Sequence, residues 1–155
     1  MSTKRQSEKM VYKMINAYKC GKHTKANFYS KIIRIIFAMD IVPSIKLGTN
    51  VEFVHNGLGC VFHPKTIIGD NCKIYQNVTI GGNGKIVNNK KNSGAPEIED
   101  NVAIFAGACV LGPIKIGRNS IIGANSVVTK NVPPNSLVVG NPAVIKELNF
   151  KYDFD

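Results

Sequence analysis

A six-residue repeat between Ile98 and Val132 is the feature that most limits what this chain can fold into. Written in sixes, the stretch reads IEDNVA, IFAGAC, VLGPIK, IGRNSI, IGANSV and VTKNVP, and the first place is always Ile or Val. The same phase occurs upstream at Ile68, Ile74 and Ile80. A helix would place apolar residues three and four apart, and a half-buried strand would place them two apart. Six is the repeat of a short strand plus a turn, and three such units close one turn of a parallel β-helix.

The second and fourth places of each six carry residues that suit corners of such a coil. Crowding of the backbone or a positive φ favours glycine in the second place, at Gly69, Gly81, Gly117 and Gly123. Asparagine suits the fourth place and occurs at Asn71, Asn101, Asn119 and Asn125. The alternative, a β-sandwich rich in Ile and turns, would not keep six consecutive units in phase. We therefore expect a mainly β fold that is built as a parallel β-helix.

Two helices are predicted before the coil, over residues 4–19 and about 25–38. Apolar residues recur at helical spacing in both, and Pro43 ends the helical region. In the second helix one side carries Phe28, Ile32, Ile35 and Ile36, and this apolar face is widened by Ile33 and Phe37. Two short helices cannot bury that side alone, so we expect it to pack on the first coil or on a neighbouring subunit. The chain then divides into an N-terminal helical segment (1–42), a β-helix domain (43–145) and a C-terminal tail (146–155).

Composition and charge narrow the possible partners of the chain. The formal net charge is +10, which fits a phosphate-bearing cofactor, an acidic polysaccharide or an anionic membrane surface reached through a basic face. No nucleic-acid-binding motif accompanies the charge, so no nucleic-acid partner is expected. The start lacks a signal-peptide pattern, and no apolar run is long enough to span a membrane. The four cysteines show no metal-binding spacing, and we expect a cytoplasmic protein without disulfides or bound metal.

The repeat is interrupted twice, and both interruptions are candidates for function. Nine residues instead of six separate Phe53 from Phe62, and this break contains the sequence HNGLG, which begins at His55. A repeat protein that departs from its repeat often does so at a site. The second interruption, residues 82–96, is rich in Gly, Asn and Lys, and we interpret it as a loop extruded from the coil.

The HNGLG break, NVTIGGNGK, AGACVLGPIKIG, GANSVVTKNVPP and VVGNPA together resemble the hexapeptide-repeat acyltransferases. The closest branch is the serine O-acetyltransferase-like group, which includes enzymes that acetylate sugars of surface polysaccharides. The resemblance implies a left-handed β-helix that forms a homotrimer. It also implies acetyl-CoA as a cosubstrate bound between subunits, with no permanently bound cofactor.

The resemblance also assigns roles to residues. His55 matches the family's catalytic histidine, the general base that takes the proton of an acceptor hydroxyl. Binding of acetyl-CoA is carried over onto Gly81, Gly82, Lys85, Ala106, Gly107, Ala124 and Lys130. Asn77 and Gln76 are candidates for the acceptor cleft beside His55. His63 is interpreted as structural or as a support of the site.

Two departures from the family pattern concern the acceptor. Serine acetyltransferases have an Asp directly before the catalytic His, where this chain has Val54. They also have a second His at the place of Ala95. The sequence therefore favours a sugar hydroxyl of a glycan precursor over serine, with a serine O-acetyltransferase of cysteine biosynthesis as the alternative. A non-catalytic β-helix scaffold is the alternative from another class.

Overall fold

The computed structural model describes residues 5–84, 86–87, 90–91, 94–150 and 152. Its architecture is a left-handed parallel β-helix preceded by two α-helices, which confirms the predicted fold class. No helix in this described part of the chain combines the length and the apolar character needed to cross a bilayer.

The two helices form an antiparallel hairpin on the first coil. α1 spans Gln6–Lys19 and α2 spans His23–Phe37. α1 buries Val11, Met14 and Ile15 in the core that continues into the coil. The buried residues of α2 are Ala26, Ile33 and Phe37, so one edge of the predicted apolar face is buried within the protomer. The rest of that face, with Phe28, Ile35 and Ile36, is exposed within the protomer.

Within the described residues, sixteen strands of two to four residues follow. In chain order they are β1 Lys46–Leu47, β2 Glu52–Phe53, β3 Val61–Phe62, β4 Ile67–Ile68, β5 Lys73–Ile74, β6 Thr79–Gly81, β7 Ile86–Val87, β8 Lys90–Lys91, β9 Glu97–Ile98, β10 Ala103–Ile104, β11 Cys109–Leu111, β12 Lys115–Ile116, β13 Ile121–Ile122, β14 Val127–Val128, β15 Ser136–Val139 and β16 Val144–Glu147.

Parallel pairing stacks these strands into three sheets that form the faces of the coil. Sheet 1 has the order β1-β4-β9-β12, sheet 2 has β2-β5-β10-β13-β15, and sheet 3 has β3-β6-β11-β14. β16 turns back and pairs antiparallel with β15. Equivalent places align from coil to coil, so the buried column of sheet 2 consists of Phe53, Ile74, Ile104, Ile122 and Val138. Burial of each such side chain contributes about 1.5–3 kcal/mol. Because each of the three sheets contributes one inward column, an inward residue recurs about every six residues along the chain.

We call the turns that follow sheets 1, 2 and 3 the first, second and third corners. The predicted corner asparagines all have a left-handed backbone, with φ between 55° and 58° at Asn71, Asn101, Asn119 and Asn125. Three of the second-place glycines, Gly69, Gly117 and Gly123, follow the crowding explanation instead, whereas Gly81 is not crowded, because a methyl group there would have no neighbouring atom closer than 3.5 Å. A methyl group at Gly117 would lie 2.4 Å from the backbone nitrogen of Pro134, and the φ of Gly117 is not positive.

Both interruptions of the repeat leave the coil register intact. The break between β2 and β3 forms a short turn, Val54–Gly57. Between β6 and β9 the chain forms a separate antiparallel hairpin from β7 and β8. β4 still pairs directly with β9, so the hairpin is inserted without displacing the coil.

Candidate active site

His55 lies in the turn at the break, and its side chain is exposed. Its backbone is left-handed, with φ 54° and ψ 36°, and Asn56 follows with φ 59° and ψ 16°. Non-glycine residues in this conformation cost roughly 1–3 kcal/mol each and persist only where the surroundings fix them. Two in succession mark a turn that is held in one shape at the cost of stability.

The first turn of α1 supplies part of what holds this loop. The buried carboxylate of Glu8 accepts the N–H of Phe53 at 3.1 Å and the N–H of Arg5 at 2.9 Å. The guanidinium of Arg5 also pairs with Glu52. The backbone N–H of Ser7 donates to the side-chain oxygen of Asn56 at 3.4 Å. The residues on both sides of His55 are therefore tied to the start of α1.

Two glycines in the break allow the loop to approach the next coil closely. Gly57 and Gly59 have φ of 60° and 70°. A methyl group at Gly59 would lie 2.2 Å from the side-chain oxygen of Asn77. The backbone N–H of Asn77 donates to the carbonyl of Leu58 at 2.8 Å. This contact places Asn77 directly against the loop that carries His55.

Most of the predicted site residues lie at the second corner, and four of them form one column. His55, Gln76, Ala106 and Ala124 occupy the third place of successive coils, as the pairing register of sheet 2 requires. Asn77 and Gly107 stand in the fourth place beside them. The side-chain oxygen of Gln76 is buried and accepts no hydrogen bond from the described residues.

Backbone N–H groups along this column are open. Those of Gln76, Ala106 and Ala124 have no hydrogen-bond partner among the residues that the structure describes. At the first corner, by contrast, side-chain carboxylates of the coil accept hydrogen bonds from N–H groups in the third place. Three third-place N–H groups there donate to carboxylate oxygens at 2.7–2.8 Å: Thr49 to Asp70, Asp70 to Asp100 and Arg118 to Glu99. The second corner thus presents a row of donors to an external acceptor.

The other predicted residues that the structure describes lie at the third corner, on the other edge of sheet 3. Gly81 follows Ile80 at the end of β6, and Gly82 and Lys130 share a column. Lys130 lines a cavity of about 200 Å³ together with Pro142 and Ala143. Lys85 lies outside the described residues. One protomer therefore does not bring this group together with His55.

His63 also belongs to the third corner. Its Nδ1 accepts the N–H of Lys65 at 3.2 Å, and its ring lies close to Gly82, where a methyl group would be 3.8 Å from Cδ2. The ring therefore packs against the base of the hairpin, on the opposite edge of sheet 3 from His55.

An aromatic cluster beside His55 is not predicted from the sequence. The rings of Tyr75 and Phe105 stack with centroids 4.6 Å apart, and Tyr75 meets the His55 ring edge-on at 6.5 Å. Tyr152 packs against Phe105 at 5.7 Å. The signal that indicates the stack is the occurrence of both aromatic residues directly after a buried Ile, at the second place of neighbouring coils.

The cysteine nearest to His55 in sequence is not placed for chemistry. Cys60 is fully buried, and its thiol donates to the carbonyl of Tyr75 at 3.0 Å. Burial raises the pKa of this thiol to about 11. It therefore remains protonated at neutral pH, which disfavours a covalent acyl-enzyme at this residue.

Comparisons with known proteins show which family the chain resembles. A model of the family "Bacterial transferase hexapeptide (six repeats)" matches residues 95–130. A serine acetyltransferase of Staphylococcus aureus (strain Mu50) is 45% identical over 128 residues, which cover 83% of this chain and 58% of the relative. The serine acetyltransferase of Brucella abortus in complex with coenzyme A superposes with a TM-score of 0.79 and 35% identity, over 88% of this chain and 53% of that chain. Soybean serine acetyltransferase complexed with serine gives a TM-score of 0.79 and 35% identity, over 90% and 56%.

The chain is therefore similar to the hexapeptide-repeat acyltransferases, in the serine acetyltransferase-like branch. It spans little more than half the length of the relatives that it matches. The sequence-based preference for a polysaccharide acceptor finds no support among them, because these relatives are serine acetyltransferases.

Proposed function

We propose that this chain is an acetyl-CoA-dependent O-acetyltransferase with His55 as its general base. The observation that carries the proposal is the row of open N–H donors at the second corner, which begins beside His55. At the first corner, carboxylates accept from N–H groups in the same place, as Asp70 does from Thr49. The pantetheine arm of acetyl-CoA carries two amide carbonyls, which are the acceptors such a row fits. Ala106, Gly107 and Ala124 leave the backbone of this corner accessible because their side chains are small.

The proposed chemistry is direct transfer. A nitrogen of the His55 imidazole takes the proton of the acceptor hydroxyl as its oxygen attacks the thioester carbonyl. The carbon–sulfur bond then breaks, the coenzyme A thiolate leaves, and the imidazolium returns the proton to it. The buried oxygen of Gln76, which lacks a protein donor, is a candidate to receive an N–H or O–H of the acceptor, and Asn77 lies beside it.

The separation of the two groups of residues supports a homotrimer. Gly81, Gly82 and Lys130 are separated from the His55 column by the width of sheet 3. The two groups of residues would form one binding site if the third corner of another copy packed against the second corner of this one. The outward side chains of sheet 3 are uncharged: Val61, Thr79, Cys109 and Val127. Those of sheet 1 include Lys46, Glu97 and Lys115. The uncharged sheet is the better face for a neighbouring subunit.

We propose L-serine as the acceptor, because the matched relatives are named for it and one of them is a complex with serine. A sugar hydroxyl is the second candidate, and a specific observation favours it. The place before His55 holds Val54, a buried aliphatic side chain that cannot orient an imidazole or bind an amino group. Ala95 likewise offers no polar atom in its side chain. A cytoplasmic location remains a prediction.

The test is release of free coenzyme A thiol from acetyl-CoA, with L-serine and with a panel of sugars and nucleotide sugars. His55→Ala should lower kcat by about 10²–10⁴-fold. His23→Ala is the matched control, because His23 is an exposed histidine at the start of α2. Turnover with sugars alone would replace serine by the second candidate. Absence of turnover with every acceptor, together with no binding of acetyl-CoA, would leave a β-helix scaffold.

A further inference from the structure

A stripe of apolar side chains on α2 points away from the rest of the protomer. Its members are spaced by three, four and seven residues, so they lie along one side of the helix: Phe28, Ile32, Ile35 and Ile36. We call these four residues the α2 stripe. Ile35 is 82% exposed, the largest exposed fraction of any large apolar side chain in the described part of the chain, and Phe28 and Ile36 are more than half exposed. A contiguous apolar surface of this kind marks a place of interaction.

Packing on the opposite side of α2 keeps the stripe turned outward. That side buries Ala26, Ile33 and Phe37, and the hydroxyl of Ser30 donates to the carbonyl of Ile41 at 2.7 Å. The helix has 15 residues and is therefore about 22 Å long. Rotation of the helix would hide the stripe only by exposing these buried side chains. The stripe is thus a preformed surface that needs no ordering before it binds.

Unpaired cations border the stripe. Lys25 precedes Phe28 by three residues and Lys31 precedes Ile35 by four, so each lysine adjoins a member of the stripe. Both lysines are exposed, and neither forms an ion pair within the residues that the structure describes. The sequence of α2 contains no acidic residue, and residues 5–38 contain eight Lys or Arg against one Glu. This side of the molecule therefore combines apolar area with uncompensated positive charge.

The charge pattern decides between the possible occupants of this surface. A second copy that paired through the same stripe would place Lys25 and Lys31 against their own counterparts, and like charges across an interface are unfavourable. A bilayer that contains anionic lipids offers phosphates to the lysines and acyl chains to the stripe. The lysine stems can follow the apolar surface while the ammonium groups reach the head groups. A helix with cations beside a long apolar face is typical of binding in the plane of a membrane interface.

We infer that the α2 stripe, with Lys25 and Lys31, docks the protein on an anionic lipid surface. The helix lies in the plane of the membrane, the stripe enters the boundary between head groups and acyl chains, and the two lysines contact lipid phosphates. The docking is peripheral, because the opposite side of the helix stays packed on the protein. It goes beyond the proposed transferase activity and does not depend on His55 or on the identity of the acceptor.

The test is sedimentation of the protein with vesicles of phosphatidylcholine alone and of phosphatidylcholine with one third phosphatidylglycerol. Wild type should bind the anionic vesicles at least about tenfold more strongly than the neutral ones, and added salt should weaken this binding. The double variant Lys25→Gln and Lys31→Gln should lower it by about twentyfold, because each cation near the surface contributes about fivefold. The double variant Phe28→Ser and Ile35→Ser should lower it by about tenfold or more. All four side chains are exposed, so both variants should remain folded.

Matched controls lie on β16, which pairs with the last strand of sheet 2 at the other end of the coil. Val144 has the same exposed fraction as Ile36, 56%, and Lys146 is an exposed lysine beside it. Val144→Ser and Lys146→Gln should bind both kinds of vesicle as wild type does. Equal losses in the controls and in the α2 variants would overturn the inference. So would wild-type protein that fails to bind the anionic vesicles or binds both kinds equally.

A fluorescence readout locates the contact. The chain contains no Trp, so Ile35→Trp and Val144→Trp each introduce a single indole. The emission of the Ile35→Trp protein should move to shorter wavelength when anionic vesicles are added, because the indole leaves water. The emission of the Val144→Trp protein should not move. The reverse pattern, or no change in either protein, would contradict docking through α2.

Sedimentation equilibrium without lipid tests the other occupant, a neighbouring copy of the chain. The double variant Phe28→Ser and Ile35→Ser should have the same mass as wild type. A smaller mass would mean that another subunit covers the stripe, and the inference would then be wrong. None of these measurements uses turnover, so the result stands apart from the fate of the proposed function.

Discussion

Replacing Glu8 tests whether α1 holds the catalytic loop. Its carboxylate is buried and accepts two backbone N–H groups, one from Arg5 at 2.9 Å and one from Phe53 at 3.1 Å. Phe53 is itself fully buried, two residues before His55. Glu8→Ala would leave the N–H of Phe53 without a partner and remove the link between α1 and the break.

The magnitude follows from these contacts. A hydrogen bond to a charged group contributes about 1.5–3 kcal/mol, and an unsatisfied buried donor costs about 1–3 kcal/mol. Since these contributions overlap, we expect Glu8→Ala to lower the free energy of unfolding by about 3 kcal/mol. Loosening of the loop should also lower kcat by roughly tenfold, because misplacement of a catalytic group by about 1 Å can cost up to about a hundredfold.

The assay is urea unfolding at fixed protein concentration together with thiol-release kinetics. Glu97→Ala is the matched control, because Glu97 is an exposed carboxylate whose pairing distance to Lys115 is 3.9 Å. It should change the free energy of unfolding by less than about 0.5 kcal/mol. Glu8→Gln should recover part of the loss, because its amide oxygen can still accept from Phe53. If Glu8→Ala matched Glu97→Ala in both measurements, α1 would not be what holds the loop.

Three further predictions concern the coil. Gly117→Ala should lower the melting temperature, because its methyl group would lie 2.4 Å from the backbone nitrogen of Pro134. Gly81→Ala should leave the melting temperature unchanged, because the nearest atom to its methyl group would be 3.5 Å away. Equal shifts in the two variants would contradict the crowding argument. A thiol reagent at pH 8 should modify exposed Cys20 in the folded protein, and reach Cys72, whose pKa burial raises to about 12, only after denaturation. The ammonium of Lys115 and the N–H of Arg118 lower the pKa of Glu99, so its stabilisation is complete above the ordinary value of 4.5 and is lost as pH falls through the lower folded value. Unfolding from pH 6 to pH 3 should therefore show a shallower loss of stability in Glu99→Gln than in wild type.

The coil could be predicted from the sequence because each of its features is set within a few residues. An Ile or Val at every sixth position specifies the inward column, and the asparagine three residues later specifies the corner. The phase break likewise marked the segment that contains His55 as a candidate site, and the resemblance to the family then assigned His55 its role. Such local patterns survive even the inserted hairpin, since the coil resumes at Ile98 in the same phase.

The support of the His55 loop by α1 could not be predicted in the same way. Glu8 and Phe53 are 45 residues apart, so no local spacing relates them. The sequence left open whether the apolar face of α2 packs on the first coil or on a neighbouring subunit, because that face is wide. Periodicity identifies an apolar face, but packing on α1 decides which part of it is buried within the protomer, and Ala26 allows the closer approach.

α1 ties the backbone around His55 through Phe53, whose N–H donates to Glu8, and through Asn56, whose side-chain oxygen accepts the N–H of Ser7. The coil itself supplies the column of open N–H groups next to this loop. Binding of acetyl-CoA and placement of the base are thus assigned to different parts of the sequence. Changes at the start of α1 that loosen the loop should therefore alter kcat, whereas changes along the corner should alter the KM for acetyl-CoA.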